Sequence, residues 1–322
     1  MAKNGRPRVI ALEEHYWDQE IAANFQGRDS SRRNLIRERL DDLGKLRLRE
    51  MDEAGIDVQV LSQGAPSVQK FDAETAVRLA RAANDRLYEA CQAHPDRFAG
   101  FAAVPSPDPR GAADELERAV TKLGFKGGMI HGLTNGVFID DKRFWPIFER
   151  ARALDVPIYL HPAHPHPDVL AAYYQDYLDR YPALAGPGWG YTVETATMGI
   201  RMVLSGVFEA YPGLKIILGH LGESLPFSLW RIDQALSRVE NTGAASFRDT
   251  FCEHFWITTS GNFSNPALLC CVMEMGIDRI MFSVDYPFVE NGQGTDWIDT
   301  IPLGKEDIHK LLHGNAERLL KL

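Results

Sequence analysis

The feature that most constrains this chain is an eightfold alternation. Short runs of β character, "VIALEEH" (9–15), "VQVLSQG" (58–64), "FAGFAAVP" (98–105), "GGMIHG" (127–132), "PIYLHP" (157–162), "KIILGH" (215–220), "FWITTSG" (255–261) and "RIMFSVDYP" (279–287), are each followed by a stretch with helical periodicity. The helical stretches carry their own stop signals: "LRLREMDEAGID" ends at Gly55, and "DAETAVRLARAANDRLYEACQAHP" ends before Pro95. Such alternation demands parallel strands joined by right-handed crossovers, so the choice lies between an open doubly wound sheet and a closed barrel. No G-x-G-x-x-G turn follows the first strand, which removes the usual reason to prefer a dinucleotide-binding sheet. The count of eight favours an α/β fold of the (β/α)8 TIM-barrel class, with residues 1–322 as a single domain.

Two connections exceed ordinary loops: 18–45, polar and arginine-rich, and 163–192, rich in His, Pro, Tyr and Gly. In a barrel both follow strands at the C-terminal face, where lids and pockets are built. The formal charge of -9 argues against a nucleic-acid or anionic-membrane surface. "MAKNGRPRVIA" lacks a signal-peptide apolar core, and no apolar run approaches the roughly 18 residues of a membrane span. Cys91, Cys252, Cys270 and Cys271 show no C-x-x-C spacing and read as reduced thiols. A cytoplasmic protein is expected.

Barrel chemistry is assembled from the C-terminal ends of different strands, and here those ends are polar in a coherent way. Strand 1 ends with Glu13 and His15, strand 5 with His161, strand 6 with His220 and strand 8 with Asp285. Residues two apart on a strand share a face, so Glu13 and His15 converge while Glu14 points away, toward helices or solvent. The strand-1 pair Glu13 and His15, the strand-5 imidazole His161 and the strand-8 carboxylate Asp285 form the mixed N/O set that suits one catalytic Zn²⁺ or Mn²⁺ with open positions. A lone strand-end histidine is more often a packing residue, but four such groups buried without a partner would be costly together. His131 ends strand 4 and could line the pocket, whereas His164 and His166 sit in a proline-fixed loop. His94, His254, His309 and His313 receive no chemistry.

The E-x-H pair, "YLHP", "ILGHLGE" and "FSVDYPF" together resemble the amidohydrolase superfamily. Within it the chain looks like the metal-dependent, non-oxidative decarboxylases related to aminocarboxymuconate-semialdehyde decarboxylase. "ALEEH", "ALDVPIYLHP", "GHLGESLPFSLWRID" and "ITTSGNF" are most similar to the ortho-hydroxybenzoate decarboxylases that act on γ-resorcylate or 2,3-dihydroxybenzoate. The resemblance implies that Glu13, His15, His161 and Asp285 hold the metal and that His220 and Glu223 are catalytic neighbours. It also implies that Arg231 reaches an adjoining subunit's substrate site, hence a homodimer or homotetramer. Hydrolytic relatives commonly begin with H-x-H, and binuclear ones carry a bridging lysine at the end of strand 4. Here strand 4 ends in "MIHG" and Lys126 precedes it, so a single ion is favoured.

The expected reaction is loss of CO2 from a small aromatic carboxylate. An ortho-hydroxyl, ionised beside a Lewis acid, raises electron density at the carbon bearing the carboxylate, which takes a proton before CO2 leaves. Asp285 is the candidate proton donor, with His220 oriented by Glu223. Arg231 suits a planar anion, and Trp189 and Phe288 are candidate aromatic walls. Two other readings remain at this level: a lactone or amide hydrolase using metal-activated water, and a non-catalytic metal- or ligand-binding barrel.

Overall fold

The computed structural model describes residues 7–25, 34–238 and 246–322. Strand β1 (Ile10–Tyr16) pairs in parallel with β2 (Val58–Gln63), and β2 with the first half of β3 (Phe98–Gly100). Parallel pairing resumes from the second half of β3 (Ala102–Ala103) through β4 (Gly128–His131), β5 (Ile158–His161), β6 (Ile216–Leu218), β7 (Phe255–Thr258) and β8 (Ile280–Met281). Phe101 carries the bend between the halves: its N–H goes back to Leu61 O, while Ala102 N–H goes forward to Gly127 O, both at 2.9 Å. The ring closes where His15 N–H donates to Tyr286 O at 2.7 Å. The eight alternating units therefore form the TIM barrel.

The surrounding helices begin and end where their sequences dictate. Asp72 caps Ala73–Ala93 through Thr75 N–H, and Asp108 caps Pro109–Leu123, whose proline stands in the first turn. Gly55 and Gly124 close their helices in the left-handed conformation that glycine adopts without penalty. Along Ala73–Ala93 the buried residues Ala76, Leu79, Ala80, Ala83, Leu87 and Cys91 recur at helical spacing, so one stripe faces the sheet.

Inside the barrel, Ile10, Leu12, Val58, Val60, Phe101, Met129, Tyr159, Ile217 and Met281 form one apolar cluster. Ala316, Leu319 and Leu320 of the last helix, Asn315–Leu320, join it from the strand-start end and close that mouth. The polar strand ends are left facing the other mouth.

Both long connections contain helix. Residues 18–45 hold Gln19–Ala23 and Asn34–Asp41, with 26–33 outside the described residues. Asp18 starts the first by capping Glu20 and Ile21 N–H, and the buried Ile21, Ala22 and Leu40 belong to a small apolar cluster with Trp17. Segment 163–192 is a chain of short helical turns around buried Tyr174, Leu178 and Ala185. Polarity hid these elements because each buries at most two described residues.

Candidate metal centre

The centre starts from an irregularity in β1. Ala11 pairs with Gln59 and Glu14 with Leu61, so Leu12 and Glu13 together oppose the single residue Val60. This β-bulge breaks the period-2 alternation. Ile10 and Leu12 fill the barrel interior, and beyond the bulge it is Glu13 and His15 that point inward.

Glu13, His15, His161 and Asp285 each offer a ligand atom within 4.8 Å of the others. His161 Nε2 stands 3.0 Å from both His15 Nε2 and Glu13 Oε1, and His15 Nε2 is 3.4 Å from Asp285 Oδ1. The far side of each ring is already held: His161 Nδ1 lies 2.7 Å from Pro162 O and His15 Nδ1 lies 3.0 Å from Ser62 Oγ. A carbonyl only accepts, so Nδ1 of His161 carries a proton, and in the neutral ring Nε2 presents a lone pair. That lone pair faces a carboxylate oxygen at 3.0 Å, an opposition of acceptors that a cation between them resolves. Glu13 Oε1 and Asp285 Oδ1 are moreover buried without hydrogen-bond partners. The donor set and its unsatisfied atoms fit one divalent ion.

Electrostatics point the same way. Burial disfavours the Glu13 carboxylate, but His220, His15 and His161 outweigh it and hold the group well below the usual range. Burial also disfavours charged His15, yet Asp285 and Glu13 lift it to about 9. His220, whose charged form burial likewise opposes, is lifted well above the ordinary imidazole value by Glu223 and Glu13. A cluster that draws protons onto its histidines in this way also favours a metal cation.

Supporting groups, absent from the sequence reading, fix these side chains. Glu13 Oε2 accepts from Tyr159 Oη and Ser260 Oγ, with Thr258 Oγ1 at 3.4 Å. Period 2 was the available signal, since Tyr159 precedes His161 by two on β5 and so shares its face. His131 Nδ1 lies 3.0 Å from His161 Nδ1, and burial together with His161 and His15 keeps it neutral by pushing it well below its ordinary value. His131 thus sides with the centre.

Gly219 supplies space. A Cβ there would sit 2.5 Å from Glu13 Oε2. Gly219→Ala is therefore expected to displace that carboxylate and raise the Mn²⁺ dissociation constant roughly tenfold or more, read by metal titration of the folded protein. Unchanged affinity would mean that Glu13 does not set it.

After Gly219 the chain runs through five consecutive positive-φ residues, His220 (50°), Leu221 (56°), Gly222 (73°), Glu223 (53°) and Ser224 (64°). Four are not glycine, each costing about 1–2 kcal/mol, and such strain concentrates at functional sites. Its result is a tight left-handed turn that places Glu223 Oε1 2.7 Å from His220 Nδ1. His220 Nε2 then faces Glu13 Oε1 at 3.7 Å and Asp285 Oδ2 at 3.8 Å. Glu223 is buried, with His220 as its partner.

The remaining predicted residues separate. The Phe288 ring is 5.9 Å from that of His15 and partly exposed, so it borders the centre. Trp189 lies in a surface depression with Tyr173, Tyr174, Tyr177 and Val193, lined by none of the four clustered residues. Gly190 packs tightly against the Ala185 carbonyl and leaves the Trp189 ring on that tyrosine side. Arg231 is exposed on helix Leu225–Leu236, its Nη1 3.3 Å from Gln234 Oε1. The helix turns Leu225, Pro226 and Leu229 inward, which leaves Arg231 outside. His164 and His166 line a cavity of ≈ 450 Å³ with Lys70, Leu133 and Ala163, beside the centre. Glu14 points away from Glu13 and His15 as expected, but not to solvent: it is fully buried against the segment after β8.

Comparison with known proteins agrees with this arrangement. The amidohydrolase family model matches residues 14–322. A γ-resorcylate decarboxylase from Polaromonas sp. (strain JS666) is 42% identical over 97% of this chain and 98% of its own. Among solved structures, a dihydroxybenzoic acid decarboxylase from Polaromonas sp. JS666, with bound manganese and the inhibitor 2-nitroresorcinol, superposes with TM-score 0.90 at 41% identity over 98% of each chain. A 5-carboxyvanillate decarboxylase from Sphingomonas paucimobilis gives TM-score 0.92 at 35% identity, covering 98% of this chain and 100% of that one.

Proposed function

We propose, from the premise that this chain belongs to the amidohydrolase family, that it is a non-oxidative carboxy-lyase acting on an ortho-hydroxybenzoate, with 2,6-dihydroxybenzoate the first candidate. The observation that carries the reading is the convergence of Glu13, His15, His161 and Asp285 at the open barrel mouth. It is supported by full-length relatives that are γ-resorcylate and dihydroxybenzoic acid decarboxylases at about 40% identity. The whole chain then works as one barrel domain.

When bound at those four residues, a divalent ion, Mn²⁺ as in the relative or Zn²⁺, supplies Lewis acidity and a template for adjacent substrate oxygens. The chain's own groups do the rest. Asp285, partly open to the mouth, delivers a proton to the ring carbon bearing the carboxylate. The C–C bond then breaks, its electron pair restores the aromatic ring, and CO2 leaves. Glu223 holds His220 Nδ1, so that Nε2 faces Asp285 Oδ2 and can exchange a proton with it. Phe288 borders the ring's place beside His15. The net reaction consumes one proton and releases one CO2, with no NAD or O2.

The test is a panel of 2,6-dihydroxybenzoate, 2,3-dihydroxybenzoate, salicylate and 5-carboxyvanillate with Mn²⁺-loaded protein. CO2 release from at least one, fastest with 2,6-dihydroxybenzoate, is expected. No turnover of any, with metal confirmed, overturns the reading, and a lactone or amide cleaved without carbon loss would replace it with hydrolysis.

Exposed Phe227 and Trp230 beside Arg231 support assembly into two or four copies, with Arg231 serving a neighbour's substrate. Four free cysteines, and no helix among the described residues long and apolar enough to cross a membrane, support a cytoplasmic place.

A further inference from the structure

The segment that carries Asp285 lies beyond any ladder. Strand β8 ends at Met281, and the amides that follow find partners one by one: Phe282 N–H on Leu311 O and Ser283 N–H on Thr259 Oγ1, each at 2.9 Å. The next two to be held are taken by a single side chain. Glu14 Oε1 accepts from Val284 N–H at 2.9 Å and Ser283 Oγ at 3.0 Å, and Oε2 accepts from Tyr286 N–H at 3.2 Å. The two carboxylate oxygens thus hold the amides on either side of Asp285, which itself adopts φ 74°.

This clamp stands on a buried platform. Gln59 Nε2 lies 3.5 Å from Glu14 Oε2, and its Oε1 accepts from Nη1 of the fully buried Arg47 at 3.1 Å. Arg47 also donates to His15 O and places its guanidinium 4.6 Å over the Tyr286 ring. The groups around the Glu14 carboxylate, Val284 N–H, Tyr286 N–H, Ser283 Oγ and Gln59 Nε2, can all donate to it. Besides the single backbone bond from His15 N–H to Tyr286 O, the Asp285 segment is therefore tied to β1 by side chains.

We propose that Glu14 is a positioning residue for Asp285: by bridging Val284 and Tyr286 N–H it fixes the left-handed backbone that aims Asp285 at His15 and His220. The functional consequence rests on the reading of Asp285 as metal ligand and proton donor. The clamp itself does not, and it can be measured separately.

Glu14→Gln keeps the shape but replaces one acceptor oxygen by NH2, leaving an amide beside Asp285 facing a donor. Three readouts decide. Deuterium exchange of the peptide spanning 282–287 is expected to quicken at least tenfold, with the rest of the barrel unchanged. The Mn²⁺ dissociation constant is expected to rise about 10–100-fold and kcat to fall by a similar factor, with KM moving less than threefold. A merely structural role would lower the melting temperature and leave both values unchanged in the folded fraction, which overturns the proposal, as does unchanged exchange. If Glu14→Gln does not fold, Glu14→Asp, which keeps the carboxyl group but withdraws it, is expected to show the same changes, and wild-type exchange there would sink the idea. Wild-type protein that neither binds Mn²⁺ nor releases CO2 would defeat the proposed function, while the exchange result would still judge the clamp.

Discussion

Asp285→Asn, assayed with saturating Mn²⁺, is expected to lose roughly 10³-fold or more in kcat for CO2 release from 2,6-dihydroxybenzoate, equivalent to a barrier about 4 kcal/mol higher. The substitution is nearly isosteric, and asparagine tolerates the positive φ of this position. The fold should survive, with a melting temperature close to wild type. What disappears is a carboxyl able to hand a proton to carbon and one anionic donor 3.4 Å from His15 Nε2. Separate measurement of kcat and metal affinity divides the two losses. A variant retaining kcat within tenfold of wild type would remove Asp285 from the proton transfer.

Removing the metal with a chelator is expected to abolish CO2 release completely, and adding Mn²⁺ should restore it. The reason is electrostatic: without a cation, the lone pair of His161 Nε2 and the Glu13 carboxylate confront each other at 3.0 Å, and two buried carboxylate oxygens have no partner. The same groups link the ion to stability. Saturation at 100 times the dissociation constant contributes about 2.7 kcal/mol, so the melting temperature should climb with Mn²⁺ concentration. Activity that survives exhaustive chelation, with metal shown absent by elemental analysis, would refute metal dependence.

Much of the arrangement was legible because barrel strands report position through order and period. Eight alternating units specify parallel strands, and their last residues, Glu13 with His15, His161, His220 and Asp285, necessarily share one mouth. Period 2 placed Glu13 and His15 together, although the face they share is delivered by a bulge at Leu12 and Glu13 that no local pattern announces. The same rule applied to "IYLH" would have found Tyr159. The direction of Trp189 was not legible, because an aromatic in a polar connection carries no periodic signal; the structure places it with Tyr173, Tyr174 and Tyr177.

Glu14 marks the boundary most clearly. By itself the sequence determined the fold class, the convergence of four metal-type side chains and the family resemblance, since each depends on residue type and spacing along a strand. Whether the residue between Glu13 and His15 met solvent or the core depended on what lay across the barrel seam, 270 residues away in the chain. Tertiary structure brought the amides flanking Asp285 to that carboxylate, because buried N–H groups beyond the end of a two-residue strand must find acceptors wherever the closed barrel supplies them.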